Sequence, residues 1–348
     1  MNFLGEAITV TRRARGLTQG ELAEMAGVTQ AALSRYETAM REPDNEVLGR
    51  IADALGVTPR FLEHAGRARG AMAVDAHMRR RQTAKPTVWK KLEAQLNVYR
   101  MHASMLFEEI ALRAEQRIPT FDPIATNPAD AARLVRMQWR MPIGPVRGLM
   151  QWLEAAGCLI IESDFGTSRI DGLSQWVDGH PIMFINSIAP TDRKRLTLAH
   201  ELGHLVLHSE EVVEDVESQA NAFAAEFLMP LDVIRPQLRN LQVNILADLK
   251  REWGVSMAAI VERAYDAGLI KADRRTSVYK LFSARGWKTS EPVSQELTPE
   301  RPSLQYDISA ALSDRGLHEN DIASMAGFTS SKHNDLIPPR PGNLHRVV

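Results

Sequence analysis

Cysteine is almost absent: Cys158 is the only one. A single thiol excludes an internal disulfide framework and fits a reducing compartment. It sits in the apolar run Cys158-Leu159-Ile160-Ile161, where a buried core thiol is expected rather than a nucleophile. Excess charge of one sign is also missing. The chain carries 42 Lys and Arg against 43 Asp and Glu, a formal net charge of -1, which indicates neither a basic nucleic-acid coat nor an acidic tail protein. No apolar run approaches a membrane span, and no charged-then-apolar leader opens the sequence. These absences lead to the expectation of a soluble, cytoplasmic protein without a membrane partner. Its 348 residues leave room for two or three domains.

What is present begins with short helices up to about Gly66. Thr18 and Glu21 form a capping box for a helix from Gln19 to Ala26, which Gly27 ends. Thr29 starts a third helix, Gln30 to Glu37. After Pro43 come Glu46 to Leu55, stopped by Gly56, and a helix from Thr58-Pro59 into Phe61-Leu62. Two short helices joined by a Gly-containing turn make a helix-turn-helix unit. Leu17-Thr18-Gln19, Leu22-Ala23, Ala26-Gly27-Val28, Leu33-Ser34-Arg35-Tyr36-Glu37 and Ile51-Ala52 through Val57 resemble the Xre (lambda-repressor and Cro-like) family. The resemblance implies a five-helix domain over residues 1–66 that binds double-stranded operator DNA as a homodimer. Its third helix would enter the major groove, with Thr29, Gln30, Ala31, Ser34 and Arg35 near bases or phosphates and Gln19 on the backbone. Leu22, Ala23, Val28, Leu33 and Leu55 read as core. A second reading of such a domain is a dimerisation module.

A basic connector follows, with Arg67, Arg69, Arg79, Arg80, Arg81, Lys85, Lys90 and Lys91 against Asp75 alone. It reads either as a solvated linker or as a phosphate-contacting arm. Trp89 to Arg117 has helical periodicity, so residues 67–125 are taken as connector and helical linker. Asn127-Pro128 caps a helix through Trp139, and Pro142 to Pro145 introduces the helix carrying Leu149 and Leu153. Strands are expected at Cys158–Ile161, Ser174–Val177 and Pro181–Asn186, the last two flanking the hairpin-turn pair Asp178-Gly179. The fold class is therefore mainly α with a small β-sheet (α+β).

Within an apolar run stands His200-Glu201-Leu202-Gly203-His204. Positions i and i+4 share one helix face, so both imidazoles can bind one metal ion, while Glu201 lies slightly around the helix, placed to take a proton from an attacking water. A tetrahedral catalytic site needs a third protein ligand. Glu217 and Glu226, on a second amphipathic helix ended by Pro230, compete for that role. They lie nine positions apart, about two and a half turns, so a straight helix brings only one to the metal. Glu217 is preferred. Asn221, one turn after Glu217, could orient a ligand. His208, another i+4 step along, drifts out of line. Glu210, Glu211, Glu214 and Asp215 read as a solvated loop.

Asp192 through His208, followed by Glu217, Ala220-Asn221, Phe223 and Leu228-Met229-Pro230, resemble the ImmA/IrrE metallopeptidase family. The resemblance implies a zincin-like domain over 126–235 with a helical continuation over 236–295. It implies Zn²⁺ (Mn²⁺ as a substitute) on His200, His204 and Glu217, with Glu201 as the base. Its expected activity is endopeptidase cleavage of a helix-turn-helix repressor or antitoxin-like protein, in a stress, phage or mobile-element response. Arg193, Arg195 and His208 are candidates for stabilising the oxyanion. The alternative is a non-proteolytic repressor or antitoxin whose zincin domain senses a metal or ligand; an intact Glu201 argues for chemistry.

The tail, 296–348, holds an echo. Gly316-Leu317 and Asp321 through Thr329 repeat Gly16-Leu17 and Glu21 through Thr29 at an offset of 300. Either it is a degenerate second helix-turn-helix that imitates a repressor and packs against a partner or the active site, or the echo is fortuitous. Its would-be third helix, Ser330 to Asp335, lacks an apolar stripe.

Overall fold

The computed structural model describes residues 3–64, 86–209, 213–239 and 241–339, and for 86–89 the backbone alone. Arg67 to Lys85 of the basic connector, and Glu210 and Glu211, lie outside the described residues.

Five helices build the N-terminal domain: α1 (Phe3–Ala14), α2 (Gln19–Met25), α3 (Gln30–Glu37), α4 (Asn45–Leu55) and α5 (Pro59–His64). Local chemistry sets their ends. The Thr18 hydroxyl accepts from Glu21 N at 3.2 Å and the Glu21 carboxylate accepts from Thr18 N at 2.7 Å, which also holds the Glu21 carboxyl below its ordinary range. The Thr29 and Asp44 side chains cap α3 and α4 by accepting from Ala32 N and Val47 N, and Gly56 closes α4 at φ +67°. Ile8, Leu22, Leu33, Ile51 and Phe61 are fully buried in one cluster. Gly5 lets α1 cross the end of α3: an added Cβ would stand 2.5 Å from the Tyr36 carbonyl oxygen and 2.7 Å from that of Glu37. Gly5→Ala is accordingly expected to destabilise this domain by about 1–3 kcal/mol. An unchanged thermal midpoint would show that α1 and α3 separate at no cost.

The long helix α6 (Pro86–Glu109) is more than a linker. Met101 and Met105 join the N-terminal core, while Leu92, Leu96, Leu106 and Phe107 join a second core under the sheet. The periodicity predicted helix through Arg117, but α6 stops at Glu109. Tertiary partners compete there for the backbone: Gln116 N donates to Ala155 O at 2.9 Å, and Trp139 Nε1 donates to Arg117 O at 2.8 Å.

Two helices, α7 (Pro128–Gln138) and α8 (Leu149–Ala155), lead to strands β1 (Leu159–Ser163), β2 (Gly172–Val177) and β3 (His180–Asn186). The sheet order is β1-β3-β2, with β1 parallel and β2 antiparallel to β3. Asp178 and Gly179 turn the hairpin at φ +48° and +79°. Alternation along each strand divides the two faces. Ile160, Met183 and Ile185 face the main core; Leu159, Ile161, Ile182 and Phe184 face α6 and the C-terminal helices. Both faces being covered explains the near-continuous apolar run of β3. Cys158 is fully buried, and burial pushes its thiol well up, which makes it the core residue expected.

On the main-core face lie α9 (Thr191–Leu207) and α10 (Val216–Leu228), then α11 (Leu231–Leu238), α12 (Leu246–Trp253), α13 (Met257–Asp266) and α14 (Ala272–Ala284). Helices α15 (Leu304–Asp314) and α16 (Glu319–Met325) return to the opposite face. The segment expected as a third tail helix forms only a short 3-10 turn, Ser331–His333. Among the described residues, no helix is long and apolar enough to cross a membrane.

Candidate metal centre

Helix α9 carries His200 and His204, 7% and 6% exposed, and α10 carries Glu217 beside them. The helices approach closely because Gly203 has no side chain: a Cβ there would lie 3.2 Å from Ala220 Cα and 3.2 Å from Phe223 Cβ. One donor atom from each of His200, His204 and Glu217 falls within 4.8 Å of the others. The two Nε2 atoms are 3.0 Å apart, and Glu217 oxygens lie 3.5 Å from His200 Nε2 and 3.6 Å from His204 Nε2. Ligand atoms about 2.0–2.1 Å from a tetrahedral zinc are about 3.3 Å apart. The donor set and its spacings therefore fit a divalent metal.

The histidines are held from behind. His200 Nδ1 faces Asn221 Oδ1 at 2.9 Å, an acceptor, so Nδ1 carries the proton and Nε2 keeps its lone pair. On His204 the same result comes through a relay. Gln219 Nε2 donates to the Pro123 carbonyl at 3.2 Å, which turns Gln219 Oε1 towards His208 Nε2 at 2.9 Å. His208 Nε2 must then donate, leaving its Nδ1 to accept from His204 Nδ1 at 2.9 Å. Since the Pro123 carbonyl can only accept, it sets the direction of the whole chain. Both ring nitrogens of His208 are engaged in this relay, and its donor atoms are not part of the cluster. Gln219→Leu should weaken metal binding by about 10- to 100-fold while the helices persist. Competition with a chromophoric chelator measures this, and unaltered affinity would show the relay idle.

Glu201 is 3% exposed, and its Oε2 accepts from the Ser174 hydroxyl of β2 at 2.8 Å. Trp176 Nε1 donates to Leu205 O at 3.2 Å, and Gly172 lies against Thr197 of the same helix, so β2 is fastened along α9. Sequence reasoning missed Ser174, Gln219 and Pro123; each joins the site across elements, and no spacing announces it.

Glu226 does not enter the cluster. Its carboxylate accepts from Arg133 Nε at 2.9 Å and pairs with Arg263, while Arg263 Nε also donates to Met229 O at 3.1 Å. It ties α10 to α7 and α13 and holds the Arg133 guanidinium above its ordinary value. Arg195 points into the core, donating to Gly254 O at 2.9 Å and Val146 O at 2.5 Å and pairing with Glu300. Arg193 pairs with Asp171 at 2.8 Å on the rim.

The centre opens into a cleft of about 1140 Å³, to whose lining His200, Glu217 and Asn221 contribute. Residues 287–296 form one wall, including Trp287 and Val293, the latter at φ +71°. Buried Lys250 pins this wall to α9. Its Nζ reaches Asp192 at 2.6 Å, Glu291 at 2.8 Å and Ser294 at 2.7 Å.

On α3, Thr29, Gln30, Ala31 and Arg35 of the predicted DNA face are exposed and Ser34 is half-buried. Gln19 Nε2 donates to Glu37 at 2.7 Å, and Glu37 also takes Arg12 Nε at 2.5 Å.

Comparison with known proteins agrees with this division. A helix-turn-helix family model matches residues 11–62, and a model described as the IrrE N-terminal-like domain matches residues 153–265. Over 105 residues the chain is 32% identical to the radiation response metalloprotease IrrE of Deinococcus radiodurans, covering 24% of this chain and 32% of that protein. Over 60 residues it is 33% identical to the SPbeta prophage-derived uncharacterized HTH-type transcriptional regulator YonR of Bacillus subtilis, covering 17% of this chain and 56% of that protein. The chain thus spans about a third and a little over half of these relatives. It joins a helix-turn-helix domain to an IrrE N-terminal-like domain in one polypeptide.

Proposed function

We propose that the protein is a DNA-binding transcriptional regulator carrying a metal-dependent endopeptidase. The observation that carries this reading is the cluster of His200, His204 and Glu217 at the cleft, with Glu201 held beside it by Ser174. His200, His204 and Glu217 would hold the ion, Zn²⁺ by the chemistry of the donor set. Bound there, it would act as a Lewis acid, polarising a peptide carbonyl and making water more acidic. Glu201 Oε takes a proton from the attacking water and passes it to the leaving amine nitrogen. The Ser174 hydroxyl aims that carboxylate, which is almost fully buried. A cleft of about 1140 Å³ accommodates a stretch of polypeptide rather than a single small metabolite.

The substrate proposed is a helix-turn-helix repressor or antitoxin-like protein, in a stress, phage or mobile-element setting. Its support is the similarity to the two relatives, a radiation response metalloprotease and a prophage-derived regulator. The DNA reading assigns Thr29, Gln30, Ala31, Ser34 and Arg35 to the major groove. Glu37 occupies one N–H of the Gln19 amide and leaves the other for a phosphate. A homodimer would set two α3 helices about one turn of DNA apart.

The test is to incubate repressors encoded beside this gene with the chain, once loaded with Zn²⁺ and once stripped by chelator. Cleavage by the loaded form alone is the expected result. Intact repressors, with zinc and operator DNA both bound, would overturn the peptidase reading in favour of a metal-sensing repressor.

A further inference from the structure

The tail echo is structural. Helix α16, Glu319–Met325, occupies the span of α2, Gln19–Met25, displaced by 300 residues. Gly16 and Gly316 have φ of +72° and +91°, and Gly27 and Gly327 of +64° and +83°. Asp321 accepts from His318 N at 3.1 Å, as Glu21 does from Thr18 N. Leu22, Ala23 and Ala26 are buried in one unit, and Ile322, Ala323 and Ala326 in the other. A match of sequence, caps, left-handed glycines and burial at one offset is not fortuitous. The unit is nonetheless half a helix-turn-helix. Where the first copy continues into α3, the second has only the turn Ser331–His333.

What the turn does instead is visible. In the first unit Gly27-Val28-Thr29 leads into the DNA-reading helix. In the second, Gly327-Phe328-Thr329 pairs with the turn between α4 and α5. Thr58 N donates to Gly327 O at 2.9 Å, Thr329 N donates to Gly56 O at 3.3 Å, and Val57 and Phe328 form an antiparallel bridge. Within this turn the one residue that differs between the copies makes the contact. Val28 is replaced by Phe328, whose ring stacks on His102 of α6 at 3.7 Å and 12°; His102 stacks in turn on Phe61 of α5 at 4.2 Å. His102 Nδ1 donates to Ala326 O at 2.6 Å, and burial pushes this imidazole down to about 3, so it stays neutral between the rings. On its other side the half-unit buries Ile308, Leu312 and Ile322 in the core that contains Leu159, Ile161 and Phe184 of the sheet. The contact is heterologous: the DNA-side turn of one unit meets the α4–α5 turn of the other, so it is no copy of a two-fold pair.

We propose that residues 304–339 are a second helix-turn-helix unit converted from reading DNA to gripping protein: its partner is the α4–α5 face of the N-terminal unit, which it holds against α6 and the back of the sheet. The unit has kept its scaffold, lost its recognition helix, and gained an aromatic side chain at the docking turn. This inference stands independently of the metal chemistry on the other face.

The test is Phe328→Val, which puts in the residue found at the equivalent place in the first unit and removes the stack on His102. In native-state hydrogen exchange of the full chain, the amides of Thr58 and Thr329 should exchange at least about tenfold faster, while those of α9 and α10 stay within twofold of wild type. His102→Leu, which keeps bulk but removes the bond to Ala326, should accelerate the same two amides. If both variants leave these amides within twofold of wild type, the half-unit does not hold the domain. Equal acceleration in α9 and α10 would also overturn the proposal, by making Phe328 an ordinary core residue.

Discussion

Replacing Glu201 with glutamine is expected to lower peptide hydrolysis by about 10²- to 10⁴-fold, the usual contribution of a positioned general base. Glutamine keeps the length and one carbonyl oxygen, so the Ser174 hydroxyl retains an acceptor, at 2.8 Å in the native chain. It cannot accept a proton at neutral pH. His200, His204 and Glu217 are untouched, so zinc content should match the wild type. Rates on a cleaved repressor, measured alongside metal content, separate the two effects. A variant that binds zinc fully and retains more than about a tenth of the wild-type rate would remove Glu201 from the base role.

The largest effect on stability is expected at Lys250. This lysine is 0% exposed and its ammonium is shared by Asp192, Glu291 and Ser294. Glu291 in addition accepts from Met257 N at 2.7 Å and Ala258 N at 3.0 Å, so one carboxylate both pairs the lysine and caps α13. Lys250→Met leaves the buried carboxylate of Asp192 and the largely buried one of Glu291 without their counter-ion. Removing one partner of a buried pair costs about 3–5 kcal/mol. That corresponds to a fall of about 10 °C in thermal midpoint. The neutralised variant Lys250→Met with Asp192→Asn and Glu291→Gln should recover most of the loss, because no uncompensated charge remains. A midpoint for Lys250→Met within about 2 °C of wild type would mean the charges are solvated and the cleft wall is held by other contacts.

The legible parts of this chain are those decided within a few residues of each other. The caps at Thr18, Thr29 and Asn127 and the Asp178-Gly179 turn are local hydrogen-bond and dihedral problems, soluble from adjacent residues. His200 and His204 share a face for the same reason: helical periodicity alone puts i and i+4 together. The repeat in the tail was legible too, because its glycines and apolar positions recur at one spacing.

Tertiary structure decided the choices among chemically equivalent groups. Glu217 and Glu226 are the same residue type on one helix, and only the rotation of α10, set where Ala220 and Phe223 press on Gly203, turns Glu217 to the histidines. Arg133 and Arg263 then neutralise Glu226 elsewhere. His208 was ambiguous because its partner, Gln219, lies on another helix and takes its orientation from Pro123. Helix α6 ended early because distant backbone groups competed for residues 110–117. The sequence by itself determined which segments are helical and which residues could bind metal or DNA, since those depend on local geometry and residue chemistry. Only the packed chain decided which carboxylate faces the histidines and what the half-unit grips, because burial and counter-charge arise from residues far apart in sequence.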